Sequence, residues 1–305
     1  SRRSCGWRTL AEEDLLVGPI HPFAWHNGAL APVDSLTISP LQTGLLTGWG
    51  LFSTLRIYQG VPFAFEDHWQ RLATDGRKLL VDLSGLEDEV RRGLAAVIEK
   101  NQAREAVARV YLIRNRGGLL DSPQARATDV LIFTRTLRDW GATARLRLQP
   151  HGRHAQAPLA GTKTLTWSHN LVLVEEAHAQ GFDDVLLLNE RGEVAECTSA
   201  NIFVARGGVL RTPPLDSGAL PGVSRKLLLA AAPDHGLRIE EAVLREPDLE
   251  QAEEIFITST TREVQAVERI GTRAVPLGPL TRRAAGVFTA LVADYLGSRR
   301  QETHA

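Results

Sequence analysis

One lysine, Lys163, has the surroundings that carbonyl chemistry requires. Of the 35 lysines and arginines in this chain of 305 residues, only four are lysines: Lys78, Lys100, Lys163 and Lys226. The other three lie beside an arginine or near the end of a predicted helix, whereas Lys163 stands among small, hydroxylated and apolar residues. A primary amine can form an imine with an aldehyde, and a guanidinium cannot replace it. Lys163 is therefore our candidate catalytic residue.

A downstream carboxylate, Glu196, is the second candidate group. A predicted helix at 168–180 and a predicted buried strand at 184–189 separate it from Lys163. Glu196 itself ends a short predicted strand and is followed by the hydroxylated segment Thr198-Ser199. We interpret Lys163 and Glu196 as one functional pair and the rest of the chain as the scaffold that positions them.

Composition excludes several classes of function. The formal net charge is -1, which gives no basic field for nucleic acid. No apolar run approaches the roughly 20 residues of a membrane-spanning helix, and no apolar segment of signal-peptide type follows the basic N-terminus. Two cysteines are too few for a disulfide framework, and the nine histidines show no metal-ligand spacing. We expect a cytoplasmic protein with no nucleic-acid, membrane or metal partner.

The first half of the chain has a mixed α+β pattern. Gly48–Tyr58 predicts a glycine-containing loop that leads into a strand. Apolar residues then recur at helical spacing from Glu66 to Leu80. The tetrapeptide from Ser84 to Glu87 matches a capping box and predicts the start of a second helix. Strands are predicted at 106–114 and 129–134.

The second half alternates strands with helices. The helix predicted at 168–180 is expected to turn Leu171, Val174 and Ala177 inward and to end at Gly181. A further helix begins within Leu220–Arg225, and its first backbone N–H groups suit an anion. A last amphipathic helix is predicted at about 280–296.

These patterns predict two domains. We expect a small N-terminal domain at 1–136, which includes a candidate extension at 1–22. Residues 137–142 are expected to connect it to a large C-terminal domain at 143–305.

Six segments occur together in an order that identifies a family. They are Gly48–Arg56, His68–Leu72, Lys163 ahead of a helix that stops at Gly181, Glu196–Phe203, Leu220–Arg225 and Thr258–Glu263. The ordered set resembles the class IV aminotransferases, or fold-type IV pyridoxal-phosphate enzymes, over about residues 27–275. That family includes branched-chain and D-amino-acid aminotransferases and 4-amino-4-deoxychorismate lyase.

The resemblance implies a fold, a cofactor and an assembly. It implies a small α+β domain, a larger domain with a barrel-like sheet, pyridoxal 5′-phosphate in the cleft between them, and a homodimer. Lys163 resembles the lysine that binds the cofactor aldehyde, and Glu196 the carboxylate that faces the pyridine nitrogen. The remaining matches are Arg71, Val223, Ser224 and Thr260 at the phosphate, Leu220 on the ring and Thr261 at the substrate carboxylate. From its place at the end of a strand, Arg114, with Arg116, is a further candidate for the substrate carboxylate, or else a surface residue.

Within this family, we expect an aminotransferase acting on branched-chain-like amino acids and a 2-oxo acid such as 2-oxoglutarate. The alternatives are 4-amino-4-deoxychorismate lyase, a D-amino-acid aminotransferase and a non-catalytic relative that binds the cofactor. Thr166-Trp167-Ser168 stands where branched-chain enzymes usually carry Gly-Asn-Tyr, and Trp49 and Ser53 replace common acidic residues. These departures leave the substrate side chain and its stereochemistry open.

Overall fold

The computed structural model describes residues 18–37, 39, 42–115 and 126–304. Most of the candidate N-terminal extension and the candidate Arg116 lie outside the described residues. Among the helices that are described, none combines the length and the apolar character needed to cross a membrane.

The first half of the chain forms a six-stranded antiparallel sheet. Its strands stand in the order β2-β1-β6-β5-β3-β4. The central strand β5 is bonded along its whole length to β6, and β3 is bonded to its other side. In chain order the strands are β1 (Ile20–His26), β2 (Ala29–Pro32), β3 (Gly50–Tyr58), β4 (Val61–Pro62), β5 (Ala106–Arg114) and β6 (Thr128–Thr136).

Two long helices cover one face of this sheet. Leu72 of the first helix and Val90 and Leu94 of the second pack in one core with alternate residues of β3 and β5. Alternation along a strand leaves the other face of the sheet turned away from this core. The helices of this half are α1 (Thr43–Thr47), α2 (Phe65–Leu79) and α3 (Leu86–Lys100).

The predicted capping box at the start of α3 is wrong. The N-cap is Gly85, with φ of 70°, and no side chain caps the helix. The backbone N–H of Ser84 instead donates to Asp82 Oδ1 over 2.9 Å. A glycine adopts the left-handed conformation at little cost, so the turn begins there and the helix starts at Leu86.

The second half forms a curled, mixed sheet of nine strands. Eight of them stand in the order β12-β11-β10-β13-β14-β7-β8-β9, and β15 pairs with β14. The backbone N–H of Cys197 bonds to Ala200 O over 2.8 Å, so the last strand returns beside β10. The strands are β7 (Thr143–Gln149), β8 (Asp184–Leu188), β9 (Val194–Cys197), β10 (Asn201–Arg206), β11 (Val209–Thr212), β12 (Ile239–Glu241), β13 (Glu254–Ser259), β14 (Glu263–Ile270) and β15 (Arg273–Ala274). The predicted two-part fold is confirmed.

Four helices accompany the large sheet: α4 (Ser168–Ala179), α5 (Val223–Ala231), α6 (Glu246–Glu250) and α7 (Pro279–His304). The predicted inward face of α4 is partly wrong, because Leu171 is 46% exposed while Leu173 and Ala177 are buried. Leucine and valine occur on several faces of α4, so the apolar spacing alone did not fix which face would be buried.

The segment that carries Lys163 bonds to the small sheet. The N–H of Phe52 donates to Lys163 O over 3.2 Å, and the N–H of Leu165 donates to Gly50 O over 3.0 Å. Leu51 and Thr164 form a β-bridge between these bonds. Lys163 therefore lies where the two sheets meet. β6 ends at Thr136 and β7 begins at Thr143, while the domain division at 137–142 stays a prediction.

Candidate active site

A cavity of about 570 Å³ lies between the two sheets. The face of the small sheet that is turned away from α2 and α3 contributes Phe52, Thr54, Val107 and Arg109 to its wall. Nine of the candidate residues lie in the described part of the chain, and the structure brings eight of them from distant parts of the sequence to this one cavity: Arg71, Lys163, Glu196, Leu220, Val223, Ser224, Thr260 and Thr261.

The position of Lys163 is fixed from both sides of its backbone. Its carbonyl accepts from Phe52, and its N–H donates to Oδ2 of the buried Asp75 over 3.2 Å. The side chain passes between aromatic rings, with Nζ 4.5 Å from the ring centre of Phe52 and 5.8 Å from that of Trp167. The amine therefore lies in an apolar, cation-tolerant part of the cavity.

The electrostatic surroundings favour the neutral form of this amine. Burial, together with the guanidinium groups of Arg71 and Arg109, lowers the pKa of Lys163 to about 7. The carboxylates of Glu196 and Asp75 oppose that shift and do not cancel it. A large fraction of the amine is therefore neutral near neutral pH, the form needed for nucleophilic attack and for accepting a proton.

Glu196 is held by two donors inside the cavity wall. Glu196 precedes Cys197, the last residue of β9, and its side chain is 9% exposed. Nη2 of Arg153 donates to Oε1 over 2.6 Å, and the N–H of Leu220 donates to Oε2 over 2.9 Å. Burial nevertheless raises the pKa of Glu196, against the opposing charges of Arg153 and Lys163. Sequence analysis missed Arg153, because it lies in a polar loop with no periodic pattern.

Arg71 is oriented by a buried hydroxyl. Its Nη2 donates to Ser53 Oγ over 3.1 Å, and the same oxygen lies 2.8 Å from Nδ1 of the buried His68. Burial and the nearby charges of Arg71 and Lys163 lower the pKa of His68 well below its ordinary value, so His68 is neutral. Arginine can only donate, so the Ser53 hydroxyl accepts from Arg71 and can give its own proton to His68.

A set of free donors lies at one end of the cavity. The helix α5 begins at Val223 after Gly222, and no side chain caps its first N–H groups. A Cβ on Gly222 would lie 2.0 Å from Oδ1 of Asn201, so any larger residue there would force the buried Asn201 amide to move. Among the described residues, Arg71 Nε and Thr258 Oγ1 are buried without a hydrogen-bond partner. Such a group of unpaired donors suits a phosphate monoester.

A second buried ion pair lies behind the threonine turn that follows β13. Nη2 of Arg262 donates to Oδ2 of Asp184 over 3.2 Å, and both side chains are almost completely buried. Thr198 and Ser199 also donate their hydroxyl protons to Asp184, the latter over 2.6 Å. The Arg262 guanidinium lies 3.7 Å from the ring centre of Trp140, so this network ties the turn to the connection between the sheets.

The structure places Arg114 elsewhere and shows another arginine in the cavity. Arg114 donates to Leu80 O, lies over the Trp49 ring and is not among the residues that line the cavity. Arg109 does line it, and its Nε is buried without a hydrogen-bond partner in the described part of the chain. The available sequence signal was an arginine in the otherwise apolar run Ala106–Val110.

Known proteins share this fold and much of its length. A putative branched-chain-amino-acid aminotransferase from Methanocaldococcus jannaschii is 27% identical over 265 residues, which cover 84% of this chain and 92% of that protein. D-alanine aminotransferase from Bacillus licheniformis is also 27% identical, over 274 residues that cover 87% and 94%. The crystal structure of a branched-chain aminotransferase from Thermoproteus uzoniensis with norvaline matches the fold with a TM-score of 0.82 at 24% identity, covering 91% of this chain and 98% of that one.

A family model supplies the assignment that these pairwise similarities point to. The model described as amino-transferase class IV matches residues 50–270, which include β3, the Lys163 segment, Glu196 and the threonine turn. This chain therefore belongs to the class IV aminotransferases, a family of enzymes that depend on pyridoxal phosphate.

Proposed function

We propose that this protein binds pyridoxal 5′-phosphate and transfers an amino group between an amino acid and a 2-oxo acid such as 2-oxoglutarate. The observation that carries the proposal is a lysine amine with a pKa of about 7 in the same cavity as a buried carboxylate. Lys163 is the catalytic residue of this proposal, and Glu196 is the residue that faces the cofactor ring.

The residues present fit this cofactor. Arg71 and the α5 N-terminus at Val223–Ser224 would hold the phosphate, since they supply otherwise unpaired donors. The turn that contains Thr260 lines the same cavity and would add a further contact. Glu196 would bind the pyridine nitrogen, because a carboxylate has about four acceptor sites and only two are used here. Leu220 would pack on the ring. When bound, pyridoxal phosphate supplies an electron-withdrawing ring that stabilises negative charge at the substrate α-carbon.

The chain itself supplies proton transfer and an apolar enclosure. The neutral Lys163 amine would take the proton from the substrate α-carbon and deliver it to the carbon of the cofactor's aldehyde group, which a protonated amine cannot do. Phe52 and Trp167 flank the amine and keep its surroundings apolar. Burial and the charges of Arg71 and Arg109 maintain the neutral fraction that this role needs.

The substrate contacts follow from the groups that remain. We assign the substrate carboxylates to the backbone N–H of Thr261 and to Arg109, in place of Arg114, because both line the cavity and Arg114 does not. The aromatic and aliphatic wall formed by Phe52, Val107 and Trp167 suits a branched apolar side chain, which supports branched-chain amino acids as donors.

The sequence similarity does not decide between neighbouring activities. A branched-chain enzyme and a D-alanine enzyme are both 27% identical to this chain. The lyase alternative would use the same lysine and carboxylate. A substrate panel separates the three, because transamination forms glutamate from 2-oxoglutarate with L- or D-amino acids, while the lyase releases pyruvate from 4-amino-4-deoxychorismate.

We further propose that the chain acts as a homodimer. Leu171 and Val172 on α4 are 46% and 57% exposed, and Leu159 near the same cavity is 41% exposed. A cluster of exposed aliphatic side chains at the mouth of a site is typical of a protein–protein contact. Light scattering coupled to size-exclusion chromatography tests this directly: a mass near 33.4 kDa would contradict it.

The cofactor proposal is tested with Lys163→Ala and the exposed-lysine control Lys226→Arg. We expect the unchanged protein and the control to show the absorbance of bound pyridoxal phosphate. After borohydride reduction, both should carry the cofactor covalently on the peptide that contains Lys163. Lys163→Ala should show no reducible link and should lose at least about 10²–10⁴-fold in turnover. A link to another lysine, or none in the unchanged protein, would refute the proposal.

A further inference from the structure

A second arginine, Arg135, lies beside Arg109 on the wall of the cavity. We propose that Arg135 determines specificity for substrates that carry a second carboxylate, such as glutamate and 2-oxoglutarate. The inference rests on the proposed aminotransferase function, and it concerns the residue that distinguishes the acidic substrate from a branched-chain one.

Strand register brings the two arginines together. Arg109 on β5 pairs with Phe133 on β6, and Val107 pairs with Arg135. The arginines are therefore diagonal neighbours on one face of the sheet, where Cα atoms lie about 7–8 Å apart and long side chains can meet. Both arginines line the cavity. Burial is the largest cause of the lowered pKa of Arg135, and the nearby charge of Arg109 lowers it further.

No carboxylate of the described residues neutralises this pair. Among the acidic residues at the cavity, Glu196 is bonded to Arg153, Asp184 to Arg262 and Asp183 to Arg145. Glu175 is exposed on α4 and makes no ion pair in the described structure. Two guanidinium groups therefore face one cavity without a protein counter-charge, and a bound anion would be stabilised there.

The hydrogen bonds of the pair leave donors for a ligand. Arg135 donates from Nε and Nη2 to Gly18 O over 3.1 and 2.9 Å, which leaves the Nη1 group. Arg109 makes no hydrogen bond within the described residues, and its Nε is buried. A guanidinium has five N–H donors, so the pair can bind a carboxylate through several of them.

Charge matching then selects the substrate class. In the proposed function Arg71 and the α5 N-terminus bind the phosphate, and Lys163 binds the cofactor aldehyde. The backbone N–H of Thr261 binds the substrate α-carboxylate. The Arg109–Arg135 pair then has no partner among these groups, and an amino acid with a single carboxylate has no second negative charge to place there. A dicarboxylate does, so its second carboxylate would lie at the pair.

The aromatic surface around the pair explains why the branched-chain reaction should depend less on Arg135. Phe52 stacks on Tyr111 with ring centres 5.6 Å apart, and Tyr111 stacks on Phe133 at 5.7 Å. The Arg109 guanidinium lies 5.2 Å from the ring centre of Phe52. Of these three rings, Phe52 is the one that lines the cavity, and an aliphatic side chain can pack on it without an ionic contact to Arg135.

The test uses the holoenzyme of Arg135→Gln, Arg135→Lys and the exposed-arginine control Arg92→Gln on α3. Glutamine can still donate to Gly18 O but carries no charge, whereas lysine keeps the charge and loses the planar fork. The first reading is the second-order rate constant of amino-group transfer to the cofactor from L-glutamate and from L-leucine. The second is the dissociation constant of glutarate by titration calorimetry, which requires no turnover.

We expect Arg135→Gln to slow the glutamate reaction and to weaken glutarate binding by about 10–100-fold, the loss of a charge-assisted hydrogen bond. Arg135→Lys should lose less, and the leucine reaction should change much less than the glutamate reaction in both. Equal losses for glutamate and leucine would show a structural role at Gly18, and unchanged glutarate binding would show that Arg135 binds no second carboxylate; either overturns the inference. Failure of the proposed function looks different, since the unchanged protein would then transfer no amino group from any amino acid, and glutarate binding would still be measured.

Discussion

Arg153 and Glu196 form the ion pair on which the polar end of the cavity depends: Nη2 of Arg153 lies 2.6 Å from Oε1 of Glu196. The two side chains are 23% and 9% exposed, so water screens the pair only in part. Burial already raises the pKa of Glu196. Arg153 is therefore a positioning residue that keeps the carboxylate ionised and aimed into the cavity.

Replacing Arg153 with Gln should destabilise the fold in a pH-dependent way. Without its charge the pKa of Glu196 rises further, so the folded state binds more protons than the unfolded state over a wider range of pH. Stability is then lost as pH rises through the folded pKa. We expect the free energy of unfolding to fall by about 2–3 kcal/mol at pH about 8 and by less at pH about 5, measured by urea denaturation.

A double-mutant cycle isolates the pair. In the Arg153→Gln background, Glu196→Gln should recover part of the lost stability and remove the added pH dependence, because no buried carboxylate then remains. Equal losses at both pH values would mean that Arg153 contributes packing and not charge.

Uptake of pyridoxal phosphate by the cofactor-free protein should increase with pH around neutrality. Only the neutral Lys163 amine attacks the aldehyde, and its pKa is lowered to about 7. We expect the uptake rate, followed by stopped-flow absorbance, to fall about tenfold per pH unit below that value and to level off above it.

Arg109→Met tests the cause of that midpoint. Burial is the largest cause of the lowered pKa of Lys163, and the charges of Arg71 and Arg109 add to it. Removing the Arg109 charge should move the midpoint to higher pH. A midpoint near the ordinary lysine value of about 10.4 in the unchanged protein would contradict the whole assignment.

Much of the scaffold was predictable, because it follows from periodic patterns. The helix from Glu66 and the strands at 106–114 and 129–134 were expected and are found as α2, β5 and β6. The helix α1 was missed, since five residues give less than two helical turns of pattern. The start of α3 was misplaced because the left-handed backbone at Gly85, and not a Ser84 side chain, begins the helix.

The residues of the cavity were predictable only where a motif marked them. Arg153 lies 43 residues from Glu196, and nothing in a polar loop indicates which distant carboxylate it will meet. Arg109 and Arg135 stand in recognisable strands, yet which strand face meets the second sheet is decided by the pairing of β5 with β6 and by packing on α2 and α3. Such contacts depend on tertiary structure and leave no local pattern.

Ser53→Ala should weaken binding of the phosphate group specifically. The change removes the acceptor of Arg71 and the partner of His68 Nδ1, both in a buried site. A less well oriented Arg71 should raise the dissociation constant of pyridoxal phosphate by about 3–10-fold, measured by absorbance titration.

Pyridoxal, which lacks the phosphate, is the discriminating ligand for this prediction. Its affinity should be the same for Ser53→Ala and the unchanged protein. Thr74→Ala, which removes an exposed hydroxyl from the same helix as Arg71, should alter neither ligand. A parallel loss for pyridoxal and pyridoxal phosphate would place the effect at Lys163 or in the fold.

Gln265→Leu should loosen the connection between the two sheets. The Gln265 Nε2 group donates to the carbonyls of Trp140, Gly141 and Thr143 over 2.6, 3.2 and 3.1 Å, while its Oε1 accepts from Arg262 over 2.6 Å. One side chain therefore holds the connection at three carbonyl groups and also supports the arginine that stacks on Trp140. Leucine has a similar volume and none of these bonds, so the polar groups of its neighbours lose their partners.

We expect amide hydrogen exchange at 138–143 to become about 5–30-fold faster in Gln265→Leu, because each buried hydrogen bond that is lost lowers the local opening free energy by about 1–2 kcal/mol. Exchange in the core strand β5 should change much less, and Gln251→Leu at an exposed position after α6 should leave both regions unchanged. Equal acceleration in β5 would indicate global destabilisation. Unchanged exchange at 138–143 would mean that the stacking of Arg262 on Trp140 is enough to hold the connection, and Arg262→Met should then accelerate exchange there.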